Sequence, residues 1–413
     1  MFERGKLTFI CDASAGSSGK GRTGSYVFAK HAGGPSNLTF ACNAFSCQAG
    51  HWVKLRNGKS YFYQSLNSCA YSDTYEKTYI GPAACLELPA LLREIEENNV
   101  NEKKLGISPI ASIVTDEDQQ YERGTIGFDG DELFTKHEGT QKTGSTCHGV
   151  GSATARKILR RPSVVLVRDV PELKPFLCEV DQEILKRLDN GESGMCEIAQ
   201  GFSLSLNHSR FYPHTTSRSV TVAQALADMF LPTSIAGPLI INCRTCPIRI
   251  SSHKYIANDD GRHLTWAEVE AGVQHTVYQG DSGGWYPDQE EVTWEYVTRL
   301  SGSPKPIIEL TSVTRLPRRV AEFSYKNLVD AIQHNQTGRQ LYITLNFADY
   351  VDHTIKGVDK IVTDCRSDII TPKLQNWLVK NLRDWYPRLA LIGTGPHTED
   401  TIDLEMTFQN GDL

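Results

Sequence analysis

Strand-like apolar runs alternate with helix-like ones along nearly the whole chain, and this alternation limits the fold more than any single motif does. LTFIC (7–11), SNLTFACN (36–43), KLGISPIASIVT (104–115), RPSVVLVRDV (161–170) and GPLIINC (237–243) read as strands. ALLREIEENN (90–99), ATARKILRR (153–161), VAQALADMF (222–230), SYKNLVDAIQ (324–333) and KLQNWLVKNLRDWY (373–386) read as helices. Alternation of this kind predicts an α/β fold with a large, mostly parallel central sheet flanked by helices. With 413 residues, 39% of them hydrophobic, the chain can bury one large core. No repeat, low-complexity segment or linker divides it, so a single domain over 1–413 is expected. The exception is the polar stretch 252–280, SHKYIANDDGRHLTWAEVEAGVQHTVYQG, which reads as an inserted excursion or lid.

A net charge of −6 argues against a protein that coats nucleic acid, so nucleic-acid chemistry here would concern nucleotides. No run approaches the roughly 20 apolar residues of a membrane span, and MFERGKLTFI lacks a signal-peptide pattern. A cytoplasmic protein without membrane partners is expected. Eleven scattered cysteines, among them Cys11, Cys85 and Cys178 in apolar runs, suit reduced thiols. Cys243 and Cys246 form one C-x-x-C with no second pair at zinc-ribbon spacing.

Six short runs carry candidate chemistry. In LTFICDASAGSSGKGR (7–22) a strand breaks into small residues, Lys20 and a helix, which fits either a phosphate cradle or a plain glycine-rich turn. It is not a Walker A loop, because Ser14 stands where the first Gly belongs and Gly21 follows Lys20. CNAFSCQAGHWVKL (42–55) places Gln48 and Gly50 ahead of His51, and CEIAQGFSLSLN (196–207) places Gln200 and Gly201 between strand-like segments. RFYPHTTSRSVT (210–221) carries more hydroxyls than one helix cap needs. GSTCHGVGSATARKILRR (144–161) runs into a helix ending at Arg160 and Arg161, fitting either a phosphate clamp or cations at a helix C-terminus. In ELTSVTRLPRRVAEF (309–323), Arg315, Arg318 and Arg319 are either a solvated basic face or a dicarboxylate site.

In this order the runs resemble the adenylosuccinate synthetases. GSSGKG, QAGH, GSTCHGVG with Arg160, IAQG, YPHTTS, TSVTRLPRR and GTGPHTEDTI match that family's GDEGKG, NAGH, TTGRGIGPAY, GAQG, YPYVTSS, TTGRxR and TGPxRxxT. The likeness spans the chain except 252–280, and AGSSGKG, AQGFSLSLN, YPHTTSR and GGWYPDQEEVTWE bring it closer to the phage, dGMP-utilising branch. The family fold is P-loop-related.

The resemblance implies a C–N ligase. A purine nucleoside triphosphate phosphorylates O6 of a purine nucleotide, and the amine of L-aspartate then displaces that phosphate. Gly16, Ser17, Ser18, Gly19, Lys20, Gly21 and Arg22 would cradle the donor phosphates, with Gly393, Thr394 and Gly395 completing the donor site. Lys20, His51, Gln200 and Ser17 would be the catalytic set, with His51 stabilising charge on the transferred oxygen. Ser17 and the Gly50 carbonyl would help hold Mg²⁺. Ser17, Gln48, Ser145, Thr146, Gln200 and Thr216 would grip the acceptor, with Arg160 reaching across a homodimer. Val313, Thr314 and Arg318 match the aspartate-binding loop.

Three departures from the family pattern bear on the substrate. Ser17 replaces an Asp that serves as general base and metal ligand, leaving room for a 2-amino group and pointing to dGMP over IMP. A serine cannot be that base unaided, so the proton would leave through water, magnesium-bound hydroxide or the phosphate itself. Leu316 falls where the family has an arginine near the ribose, with Arg315 adjacent, which fits a deoxynucleotide. In TLNFADYVD, Asp349 suits a guanine edge and Asn346 an adenine, so the donor is ATP or GTP. A conventional IMP-utilising synthetase and a catalytically silent nucleotide-binding homologue are the competing readings.

Overall fold

The computed structural model describes residues 1–124, 143–208, 210–252, 254–257, 268–269, 271–310, 317–362 and 370–405. Ten strands form its main sheet: β1 (Leu7–Asp12), β2 (Leu38–Asn43), β3 (Lys77–Ile80), β4 (Leu105–Ile107), β5 (Ser193–Glu197), β6 (Ala236–Arg244), β7 (Leu341–Asn346), β8 (Lys360–Ile361), β9 (Leu389–Gly393) and β10 (Thr401–Asp403). Their order across the sheet is β8-β10-β9-β7-β6-β1-β5-β2-β3-β4. Every pair is parallel except β9 with β10. The sheet is therefore the mostly parallel one expected from the alternation of elements.

Both faces of the sheet are covered, so its inner strands are buried on both sides and mostly apolar instead of alternating strictly with solvent-facing polar residues. In β1, Leu7, Phe9 and Cys11 join one apolar cluster with Ile184, Leu226, Leu328 and Leu378 from the helices on that side. Ile10 points the other way and packs with Val27 and Phe28 of α1 (Lys20–His31). Gly194 sits in the middle of β5 because a Cβ there would lie 2.4 Å from the Phe40 ring and 2.6 Å from Leu7.

The chain departs from the sequence reading in three places. RPSVVLVRDV is strand only at Val165–Leu166, and then turns through 3₁₀ segments at Val167–Asp169 and Pro171–Phe176. There the Asp169 carboxylate accepts from Leu166 N–H at 3.2 Å, and Pro171 has no N–H for a ladder. KLGISPIASIVT splits around Pro109, giving β4 to the main sheet and Ser112–Ile113 to a small one. KLQNWLVKNLRDWY is α-helical only at Pro372–Leu382, ending where Arg383 adopts φ +49°. In the 252–280 stretch, Lys254–Ala257 pairs antiparallel with Thr276–Gln279, while residues 265–267 and 270 of the TWAEVEAGV signature lie outside the described residues.

β1, β5, β6, β7 and β9 end at Asp12, Glu197, Arg244, Asn346 and Gly393 on one edge of the sheet. In parallel α/β sheets this carboxyl edge is where ligands bind. Substituting Gly194→Ala beneath it is expected to cost about 1–3 kcal/mol through overpacking against Phe40 and Leu7. Urea denaturation measures this, and unchanged stability would show that the packing is looser than described.

Candidate nucleotide site

Asp12 organises the loop that follows β1. Its buried carboxylate accepts from Ser14 N–H at 3.1 Å, Ser18 N–H at 3.2 Å and Ser18 Oγ at 2.6 Å. Lys20 Nζ lies 3.4 Å away and also donates to the Gln200 carbonyl. The loop thus folds around an internal anion, and Lys20 is fixed at its rim. Gly19 caps α1 at φ +85°, and no side chain caps the helix or places an acid in its first turn. That end is an uncapped, partly positive N-terminus beside a lysine, which suits a phosphate.

Two further loops close on this one. Gly201 packs so tightly that a Cβ would come within 2.0 Å of the Ser14 carbonyl oxygen, and Gln200 before it adopts φ +63°. A Cβ on Gly21 would lie 2.6 Å from the Trp52 carbonyl, so the His51–Lys54 strand crosses directly over the start of α1. His51 is thereby buried beside the loop, with Nδ1 3.3 Å from Glu197 Oε2 and the Phe45 ring edge-on at 4.4 Å. The other Glu197 oxygen accepts from Ser68 N–H at 2.8 Å and from Ser68 Oγ. His51 therefore has a fixed carboxylate behind it, as an orienting partner would require.

The acceptor-side residues converge in part. Gln48 Nε2 donates to Thr216 Oγ1 at 3.4 Å, and Gln48 Oε1 is buried with no partner among the described residues. Arg218 ties these segments together, donating to Ala44 O at 3.0 Å, Ser46 Oγ at 3.0 Å and Ala83 O at 2.8 Å. Thr146 is exposed, and Ser145 Oγ accepts from Cys147 N–H at 3.1 Å. The N-terminus of α2 (Val150–Ile158) is already filled: Glu122 accepts from Gly149 N–H at 2.9 Å and Gly151 N–H at 2.7 Å. A phosphate clamp in this segment would thus fall on the Ser145–Thr146 loop and not on the helix end. Arg160 is exposed beside the exposed Ile158 and Leu159.

Residue 17 is where the aspartate-binding run meets the first loop. Ser17 is exposed at φ +53°, Arg318 Nη1 donates to its Oγ at 3.2 Å, and Arg244 Nη1 donates to its carbonyl at 2.8 Å. Arg244 is fully buried, paired with Glu309 and stacked 4.0 Å from the Phe347 ring. Val313, Thr314, Arg315 and Leu316 lie outside the described residues. Ser17 Oγ faces a guanidinium in this arrangement, which suits an anion better than a metal. The Gly50 backbone is exposed and leaves its carbonyl as the candidate oxygen ligand.

The donor-side residues divide into struts and open positions. Arg22 is buried, donating to Asn346 Oδ1 and Thr401 Oγ1, each at 2.6 Å, and burial lowers it to about 10. Asn346 Nδ2 donates to Ser18 O at 2.6 Å and Thr23 Oγ1 at 3.2 Å, so its amide is spent on the loop and not aimed at a base. A Cβ on Gly393 would lie 1.9 Å from Arg22 Nη2, and one on Gly395 would lie 2.4 Å from Asp400 Oδ2. Thr394 is buried and donates to Val358 O at 2.7 Å. Among the described residues Asp349 makes no side-chain bond to the loop or to these struts, and burial pushes its carboxyl up to about 6.

Asp12, Glu197, Arg244 and Arg218 were not assigned roles from the sequence. Three of them end apolar strands, and a charged residue closing a buried strand is the signal that could have found them.

A parallel sheet whose carboxyl edge gathers a lysine-bearing loop, a carboxylate-backed histidine and arginines defines a nucleotide-handling α/β protein. Comparison with known proteins narrows this. The adenylosuccinate synthetase family profile matches residues 42–169. N6-succino-2-amino-2'-deoxyadenylate synthase of cyanophage S-2L is 31% identical over 83% of this chain and 82% of the relative. The like-named protein of Salmonella phage PMBT28 is 28% identical over 98% of this chain and 99% of its own. The solved succinoaminodeoxyadenylate synthetase of cyanophage S-2L, bound to dGMP and to dATP as an energy donor, superposes with a TM-score of 0.70 at 27% identity. That match covers 98% of this chain and 96% of the other. The chain belongs to the adenylosuccinate synthetase family.

Asp12→Ala should destabilise the protein by about 3–5 kcal/mol, the cost of leaving a buried partner charge such as Lys20 unpaired. Chemical denaturation tests this. A loss under 1 kcal/mol would mean that the loop does not depend on its internal carboxylate.

Proposed function

We propose that this ligase joins L-aspartate to C6 of dGMP through a 6-phosphoryl intermediate, giving 2-amino-2'-deoxyadenylosuccinate for diaminopurine DNA. The observation that carries the substrate choice is Ser17: a short hydroxyl on the exposed turn of the loop, held between Arg244 and Arg318. A carboxylate at that point would crowd an exocyclic 2-amine, whereas a serine leaves room and can accept its hydrogen. The likeness to the cyanophage protein bound to dGMP supports the same acceptor.

In this reading the loop N–H groups and Lys20 bind the donor phosphates, and Asp12 keeps the lysine in place without competing for the site. His51, backed by Glu197, supports the acceptor oxygen as it gains and then loses the phosphoryl group. Gln48 and Thr216 hold the acceptor nucleotide, joined by Gln200, Ser145 and Thr146. Arg160, next to exposed Ile158 and Leu159, reaches into the partner's site of a homodimer. Arg318, whose partly buried guanidinium lies against Ser17, receives a carboxylate of the incoming aspartate and brings its amine toward C6. Mg²⁺ would rest on the Gly50 carbonyl and the donor's own phosphate oxygens, and its contribution is to neutralise charge on those phosphates.

For the donor we favour an adenine nucleotide, following the dATP in the cyanophage structure. Asp349, raised to about 6 by burial, has a protonated form within reach near neutral pH. That form can donate to adenine N1 while accepting from the 6-amine.

Purified protein with aspartate, Mg²⁺ and ATP should release phosphate with dGMP and far more slowly with IMP. Turnover of IMP alone would reject this reading in favour of the conventional synthetase, and no turnover with either would favour a silent homologue. Ser17→Asp should depress dGMP turnover more than IMP turnover; equal loss would remove residue 17 from substrate choice.

His51→Ala is expected to lower kcat by about two orders of magnitude, as loss of a catalytic acid or electrostatic partner does. An unchanged kcat in steady-state assays would exclude His51 from the chemistry.

A further inference from the structure

Cys47, Glu87 and His148 bring three metal-ligating side chains together beside the acceptor face, and the reaction described above uses none of them. One ligand atom of each lies within 4.8 Å of the other two. They come from three separate segments: the loop after β2, the start of the Leu88–Glu97 helix and the turn leading into α2. Glu87 occupies the N-cap position of its helix, yet its side chain makes no capping hydrogen bond. Among the described residues, no hydrogen bond or ion pair ties up the Glu87 carboxylate or the His148 ring. The Cys47 thiol points toward the same corner, 3.7 Å from the His148 carbonyl oxygen. Cys85, Val114, Val150 and Ala153 form an apolar cluster with Cys47.

We propose that Cys47, Glu87 and His148 form a site for a thiophilic divalent cation of the Zn²⁺ class, separate from the Mg²⁺ that accompanies the triphosphate. A thiolate, an imidazole and a carboxylate make a mixed S, N, O donor set, which suits Zn²⁺ and does not suit Mg²⁺. Metal–ligand bonds of about 2.0–2.3 Å in a tetrahedron place ligand atoms roughly 3.3–3.6 Å apart. Small side-chain rotations close the remaining gap. Binding replaces the Cys47 proton, which leaves to solvent, and water takes the fourth position. One thiolate and one carboxylate then balance the dication, so the occupied site is neutral. Burial and the Glu87 charge hold the metal-free thiol protonated, and a cation reverses that preference.

Occupancy would have a local consequence. Cys47 adjoins Gln48, and His148 lies two residues after Thr146, so a bound cation would clamp two acceptor-binding segments together.

The test uses the full chain, stripped with a chelator and titrated with Co²⁺ as a spectroscopic probe, without any nucleotide. Thiolate-to-cobalt charge-transfer absorption should saturate at one metal per chain and vanish when Zn²⁺ is added. Cys47→Ser should lack it, and Glu87→Gln and His148→Ala should each weaken binding at least as much as the roughly 10–100-fold that an outer-shell loss costs. Absence of the absorption in folded wild-type protein overturns the proposal. So does its persistence in folded Cys47→Ser, or undiminished affinity in His148→Ala, which leaves the apolar packing around the thiol intact. Because the readout needs no turnover, its failure leaves the ligase assignment unaffected.

Discussion

One buried negative charge shapes the working edge of this protein. Asp12 ends the central strand, where no water can solvate its carboxylate, so the following loop must supply its hydrogen-bond donors. Ser14 and Ser18 turn their hydroxyls and N–H groups inward to do so, and Lys20 reaches the same carboxylate. An anion-binding loop built around an internal anion is not a contradiction. The carboxylate fixes the lysine's position, and the lysine and helix N-terminus supply the outward positive field.

The same arrangement recurs at lower intensity around the edge. Glu197 fixes Ser68 and backs His51, Asn346 braces the loop against Arg22, and Glu309 holds Arg244 under Ser17. Lys20, His51 and Ser17 thus each have a buried partner behind them, Asp12, Glu197 and Arg244, set at a strand end by the sheet. This limits how far a functional side chain can wander, which favours orientation over adaptability.

How much of this could be read from the sequence depended on whether a residue's role is local. The loop Lys20, His51 and the Gln48–Thr216 meeting were legible because short strings carry them. The mostly parallel sheet was legible because its strands and helices alternate. Asp12 and Arg244 were not, since a single charge at a strand end has no spacing that distinguishes it from a surface residue. Arg22 and Asn346 were read as ligand contacts, but long-range packing with Thr401 and Thr23 turned them into struts. RPSVVLVRDV misled for a related reason: apolar content suggested a strand, and the Asp169 turn and two prolines set the local path.

The backbone at Ser17 has a consequence of its own. A serine at φ +53° occupies a conformation that costs a non-glycine residue about 1–3 kcal/mol, so the turn is imposed from outside, by Arg244 on the Ser17 carbonyl and by the Asp12 carboxylate on Ser18 N–H. Its geometry therefore does not belong to whichever amino acid occupies that place. Such a turn works as an interchangeable socket, in which a lineage can trade one side chain for another and so change diet without rebuilding the mouth.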